Sequence, residues 1–186
     1  MMSVFENYAF VYFVCEGKNE EATLRWIHEN HKIAVNKEKY SLDFLRTRGK
    51  RSWEELRKRC FEYDYGGNVA IFYLLDSKSE ERKSLKSKYS PKEIPVIKVL
   101  PPPEIEILLI LSNPMAEQAW HNASRKNRQL KPSEFCKSYF NCNIKNGDNF
   151  IRGFGSFSAF EYACKRYKSS HSEQVCIYDI LKLDEN

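Results

Sequence analysis

Tyr8–Cys15 reads YAFVYFVC, eight residues without a charge, and Glu16-Gly17 follows at once. A run this apolar and this rich in aromatic and β-branched side chains predicts a strand covered on both faces. Strands covered on both faces belong to parallel sheets, because crossover helices pack on either side. A second such run, Val69–Leu75 (VAIFYLL), ends on Asp76. Between the two, Asn19–Asn30 places Ala22, Leu24, Trp26 and Ile27 at helical spacing. Lys39–Leu45 alternates, with Tyr40, Leu42 and Phe44 on one side and Ser41 and Asp43 on the other. Ser52 and Glu55 fit a capping box opening a helix through Leu56, Cys60 and Phe61, and Gly66-Gly67 closes it. Ile94–Leu100 reads as a fourth, shorter strand, stopped by Pro101-Pro102-Pro103. Strand, helix, strand, helix, strand and a crossover to a further strand is the pattern of an α/β fold with a mostly parallel sheet.

From Glu104 onward the pattern turns helical: Glu104–Ser112, Pro114–Ala123, Pro132–Phe140, Ser156–Lys168 and Ser172–Leu183. Within the last of these, Val175–Leu181 is equally compatible with a strand. Asn141–Gly155, rich in Asn and Gly, reads as the most mobile connection. No repeat and no linker interrupts the 186 residues, which predicts one unit: an α/β core over 1–112 with a helical subdomain over 113–186 packed on it. The 3 Trp, 11 Tyr and 12 Phe exclude a disordered tail. No run approaches the length of a membrane-spanning helix, and Met1–Phe10 lacks the basic and apolar regions of a secretory signal. The expectation is a soluble cytoplasmic protein with no membrane partner.

Thirty Lys and Arg against 25 Asp and Glu leave a net charge of +5. The excess is local. Arg46–Arg59 contains Arg46, Arg48, Lys50, Arg51, Arg57, Lys58 and Arg59, and a second patch holds Arg125, Lys126, Arg128 and Lys131 just after Trp120 and His121. Either patch fits a phosphate backbone or a solvated face. The six cysteines form no CxxC pair and have no histidine at zinc-finger spacing, so they read as reduced thiols. Cys15, at the end of an apolar strand, reads as a core thiol and not a nucleophile. His28 and His31 read as surface histidines for want of a third ligand.

Two acids stand out by position. Glu16 follows the first buried strand and Asp76 the third, and ligands gather at the carboxyl ends of parallel strands. Two acids brought together there would suit Mg²⁺, although each is equally placed to open a loop or cap a helix. Gly17 after Glu16 permits a sharp turn and close backbone approach.

Three segments in this order resemble the RloB family, relatives of AbiLii whose members contain a Toprim-like domain. They are Glu16-Gly17-Lys18-Asn19-Glu20 after a strand, Leu74-Leu75-Asp76 after another, and Pro101-Pro102-Pro103-Glu104-Ile105-Glu106-Ile107-Leu108-Leu109. The family pattern is EGxxE, then a strand ending in DxD, then NPxFExWLLxH. Glu16 and Glu20 match the first motif, Asp76 the first acid of the second, and Pro101 and Glu104 the third. Leu130-Lys131-Pro132 through Phe140 and Ala163–Lys168 extend the likeness toward the C-terminus. The chain departs from the pattern at Lys78, which replaces the second acid of DxD, and at Glu106, where tryptophan is usual. Glu80 or Glu81 would then supply the acid from the next turn. Glu106 is either a surrogate acid or the exposed face of a helix.

The resemblance implies a Toprim-like protein of a prokaryotic antiphage or restriction-linked system that acts on nucleic acid, as a nuclease dependent on Mg²⁺ or Mn²⁺. On that reading Glu16 serves as general acid/base or metal ligand and Asp76 as metal ligand, assisted by Glu20, Glu80 or Glu104. Arg46, Arg48, Arg51, Lys78, Lys126 and Arg128 would contact phosphates. A competing reading, which Lys78 favours, is a degenerate interaction module: an accessory subunit of a defence complex, beside an ATPase-type partner. A third, a protein assembled with a partner, follows if Trp120 and Phe154 are exposed.

Overall fold

The computed structural model describes residues 4–15, 17–44, 50–75, 84–87, 91–99, 104–141 and 143–182, with the backbone alone for 50–52. Five strands form one sheet in the order β2-β1-β3-β5-β4. β1 (Phe10–Cys15) pairs in parallel with β2 (Tyr40–Phe44) on one side and β3 (Val69–Leu74) on the other. β3 pairs in parallel with β5 (Glu93–Val99), and the short β4 (Ser84–Lys86) closes that edge antiparallel. The architecture is α/β, a mostly parallel sheet flanked by helices and continued by a helical C-terminal region.

The two unbroken apolar runs are strands because each alternate side chain finds a different apolar layer. Val11, Phe13 and Cys15 of β1 join Ala70, Phe72 and Leu74 of β3 on one face. α1 (Lys18–Glu29) and the C-terminal helices cover that face. Tyr12, Val14, Ile71 and Tyr73 lie on the other face, under Trp53, Leu56 and Cys60 of α2 (Lys50–Glu62). α1 and α2 thus sit on opposite faces, as right-handed crossovers require when the chain first steps to β2 and then back across β1 to β3. The reversal leaves a switch point between the carboxyl ends of β1 and β3, which are in register at Cys15 and Leu74.

The C-terminal helices are α3 (Ile107–Leu111), α4 (Pro114–Lys126), α5 (Pro132–Tyr139), α6 (Gly147–Gly153), α7 (Phe157–Ser170) and α8 (Ile177–Ile180). Phe13, Phe72, Leu109, Phe150, Phe160 and Ile180 belong to one buried cluster, so sheet and helices share a core. Asn113 and Ser156 cap α4 and α7 by accepting backbone N–H groups.

Several elements differ from the sequence reading. α2 begins at Lys50, so Ser52 lies inside the helix and is not its cap, and the helix ends at Glu62, ahead of Gly66-Gly67. β5 is the longest described strand at seven residues, and β4 had no periodic signal because three residues are too few to show one. Asn141–Gly155 holds a helix: Asn146 caps α6, and Gly147 packs so closely on α1 that a Cβ there would lie 2.7 Å from the Ala22 Cβ. Ser172–Leu183 yields only the four residues of α8, and Leu181 bridges antiparallel to Ile33. Phe154 is buried at 5% exposure and Trp120 is half-buried against Phe135, so neither is the exposed aromatic that a partner-assembled protein would present.

Candidate functional site

α1 starts directly beyond β1, which sets its first turn at the carboxyl edge of the sheet. Its N-cap, Gly17, has ordinary extended backbone (φ −87°, ψ 152°), so a special turn does not explain the glycine. Space does: a Cβ at Gly17 would collide with Oε2 of Glu20. The Glu20 carboxylate therefore lies back against Gly17, with the residue only 6% exposed. A carboxylate in the first helical turn faces the positive end of the helix dipole, which lowers the cost of keeping it charged there.

Asn19 sits beside it, also 6% exposed. Its Nδ2 donates to Oε1 of Glu106 at 2.8 Å, across 87 residues of chain. Its Oδ1 is buried with no hydrogen-bond partner. Glu106 stands at the N-cap position of α3 without a side-chain capping bond and is 7% exposed, so it is not the solvent face of a helix. Its backbone carbonyl accepts from Leu109 and Ile110 and from the Cys136 thiol, which ties the first turn of α3 to α5. Glu20 and Glu106 each have further interactions beyond these. Glu104 is half-buried, and its Oε2 accepts the Ser133 N–H at 2.8 Å, serving the first turn of α5.

The Glu20 and Glu106 carboxylates and the Asn19 amide oxygen are oxygen donors, the kind that Mg²⁺ and Mn²⁺ take. These residues fit a hard cation. Among the described residues, no three His, Cys, Asp or Glu side chains gather closely enough to hold a metal by themselves. Glu16, Asp76, Glu80 and Glu81 lie outside the described residues, as do Arg46, Arg48 and Lys78, and of Arg51 only the helical backbone is described.

The first basic patch is partly neutralised internally. Arg59 Nη2 donates to Asp43 Oδ1 at 2.8 Å, and Nη1 lies 2.8 Å from Oδ2 without the alignment of a second hydrogen bond. Arg57 pairs with Glu54 one helical turn away. Asp43 is only 7% exposed on the α2 face of β2, which the alternation placed correctly but could not supply with a partner. The second patch is open: Arg125, Lys126 and Arg128 are exposed at the carboxyl end of α4, where cations complement the helix dipole.

His28 bonds through Nδ1 to the Tyr40 hydroxyl at 2.6 Å, and His31 is exposed with a positive φ of 55°. Cys15, Cys60, Cys136, Cys164 and Cys176 are free and buried. Tyr12 and Tyr65 share a hydroxyl–hydroxyl hydrogen bond, and burial pushes the Tyr12 phenol far above its ordinary range. A cleft of about 550 Å³, lined by Tyr8, Tyr63, Tyr65 and Lys92 among others, opens where β3 and β5 begin. It lies at the opposite edge of the sheet from Glu20 and Asn19, so size alone does not mark the site.

No family model, curated protein or solved structure matches the chain.

Proposed function

We propose that this chain is an RloB-like protein that acts on nucleic acid in a prokaryotic antiphage or restriction-linked system, as a nuclease dependent on Mg²⁺ or Mn²⁺. The observation that carries the reading is the placement of Glu20: a buried carboxylate in the first turn after β1, at the carboxyl edge of a parallel sheet. Glu16, Glu20 and Asp76 would hold the metal, with Glu80 or Glu104 assisting. A bound divalent cation supplies activation of water and neutralisation of phosphate charge. Burial around Glu20 excludes water and strengthens its charge interactions. Arg125, Lys126 and Arg128 offer an exposed cationic surface for the phosphate backbone.

A second reading, a degenerate module that binds without cutting, is favoured by Lys78 at the second acid of the strand-end motif. A cation at that position repels a second metal ion. The two readings separate in one assay. Labelled single- and double-stranded DNA and RNA are incubated with the full chain and Mg²⁺ or Mn²⁺, beside Glu16→Ala and Glu20→Gln. Cleavage by the wild type that both variants lose supports the nuclease. No cleavage of any substrate, with a cellular effect that survives Glu16→Ala, supports the module.

A further inference from the structure

We infer that Asn19 and Glu106 complete, with Glu20, an oxygen-donor set for one divalent cation, Glu106 standing in for the strand-end acid that Lys78 replaces. The inference rests on the metal-dependent reading and goes beyond it. The resemblance places tryptophan at position 106 and gives position 19 no role.

The amide of Asn19 carries the argument. A carboxylate only accepts, so it is the amide nitrogen that faces Glu106 Oε1. The 2.8 Å contact from Nδ2 to Oε1 thus fixes which end is which. Oδ1, on the same carbon, is then left buried without a hydrogen bond in a residue only 6% exposed. An unpaired buried acceptor is costly, and a native fold keeps one where something else satisfies it. Glu20 is the next residue in the same helical turn and is itself buried. A buried amide oxygen in a residue that is bonded to one buried carboxylate and adjoins another in the chain is matched by a hard cation, which takes neutral and anionic oxygens together.

The set is also rigidly held. The Asn19 carbonyl accepts the Thr23 hydroxyl at 2.8 Å in the buried turn of α1. Glu106 is anchored through its backbone to α3 and α5. The donor from Asn19 aims the Glu106 carboxylate, the role an orienting group plays around a metal ligand. Glu106 thereby brings to the carboxyl edge a charge that the strand-end motif lacks.

Mn²⁺ titrated into the full chain, followed by calorimetry and by thermal melting, tests this. The wild type is expected to bind Mn²⁺ and to melt higher with it. Glu106→Gln and Asn19→Leu are expected to weaken binding by at least about tenfold. Asn19→Asp puts a carboxylate beside Glu106, so it should melt lower without metal and gain a larger Mn²⁺-induced rise than the wild type. Should Asn19→Leu not fold, Glu106→Gln, which keeps shape, reads the same loss. If the neutral variants bind Mn²⁺ as the wild type does, or Asn19→Asp gains no larger rise, the pair is structural and the inference fails alone. If the wild type binds no Mn²⁺, the metal-dependent reading fails with it.

Discussion

Gly17 and Glu20 compete for one volume, which makes Gly17→Ala informative. The clash would be with the far end of a flexible side chain, so the fold can yield by swinging the Glu20 carboxylate outward. We expect Gly17→Ala to keep its melting temperature within a few degrees while losing Mn²⁺ affinity, read by calorimetry beside a melt. Asp43 makes the opposite case. Its buried carboxylate depends on Arg59, and Arg59→Met should cost about 1–3 kcal/mol by urea unfolding. Asp43→Asn, which needs no counter-charge, should cost less. Glu16 and Asp76 stand out by their positions after strands, because strand ends are legible from hydrophobic runs, and Glu20 enters only through the family resemblance. Asn19 and the Asp43–Arg59 pair are not legible in this way, since each acquires meaning from a residue far along the chain, and no periodicity carries that information.

At the level of elements, α6 is the least expected part of the molecule and directly supports the site. Its seven residues are too few to display a helical period, and Asn and Gly pull the local preference toward turns. Packing overrides that preference: Phe150 is fully buried and Gly147 brings the helix start against Ala22 and the Lys18 carbonyl of α1. Gly147→Ala should therefore destabilise the fold by about 1–3 kcal/mol, and it should do so through α1. Hydrogen exchange of the α1 amides, faster than in the wild type, would report it. The end of α4 makes a different claim. If its exposed cations follow a phosphate backbone, Lys126→Ala and Arg128→Ala should each lower the salt dependence of nucleic-acid binding by about one unit of slope. Fluorescence anisotropy across a salt series measures this. β1 and β3, by contrast, are six-residue strands inside unbroken apolar runs, where period and length agree, and the sequence places them within two residues.

For the whole molecule, the two apolar layers on either side of the sheet predict its behaviour in base. Burial pushes the Cys60 and Cys176 thiols up from 9.0 to about 12 and the Tyr167 phenol up from 10.0 to about 12. These groups stay protonated in the fold while the unfolded chain releases its protons, so unfolding binds fewer protons. Stability is then fully present below pH 9 and falls as pH rises from there toward 12, by about 1.4 kcal/mol per pH unit for each thiol at most. Urea midpoints measured between pH 8 and pH 11 should fall steadily, and Cys60→Ala should flatten the fall. The order of the strands, the shared core and the switch point all meet at the carboxyl edge, where the proposed metal would be held through oxygen ligands. Crystals soaked in MnCl₂ and measured at the manganese absorption edge test this most directly. The expected result is an anomalous peak bonded to Glu20, with Glu106 and the Asn19 amide oxygen beside it. A map without a peak at that edge, or with manganese bound only elsewhere, would contradict it.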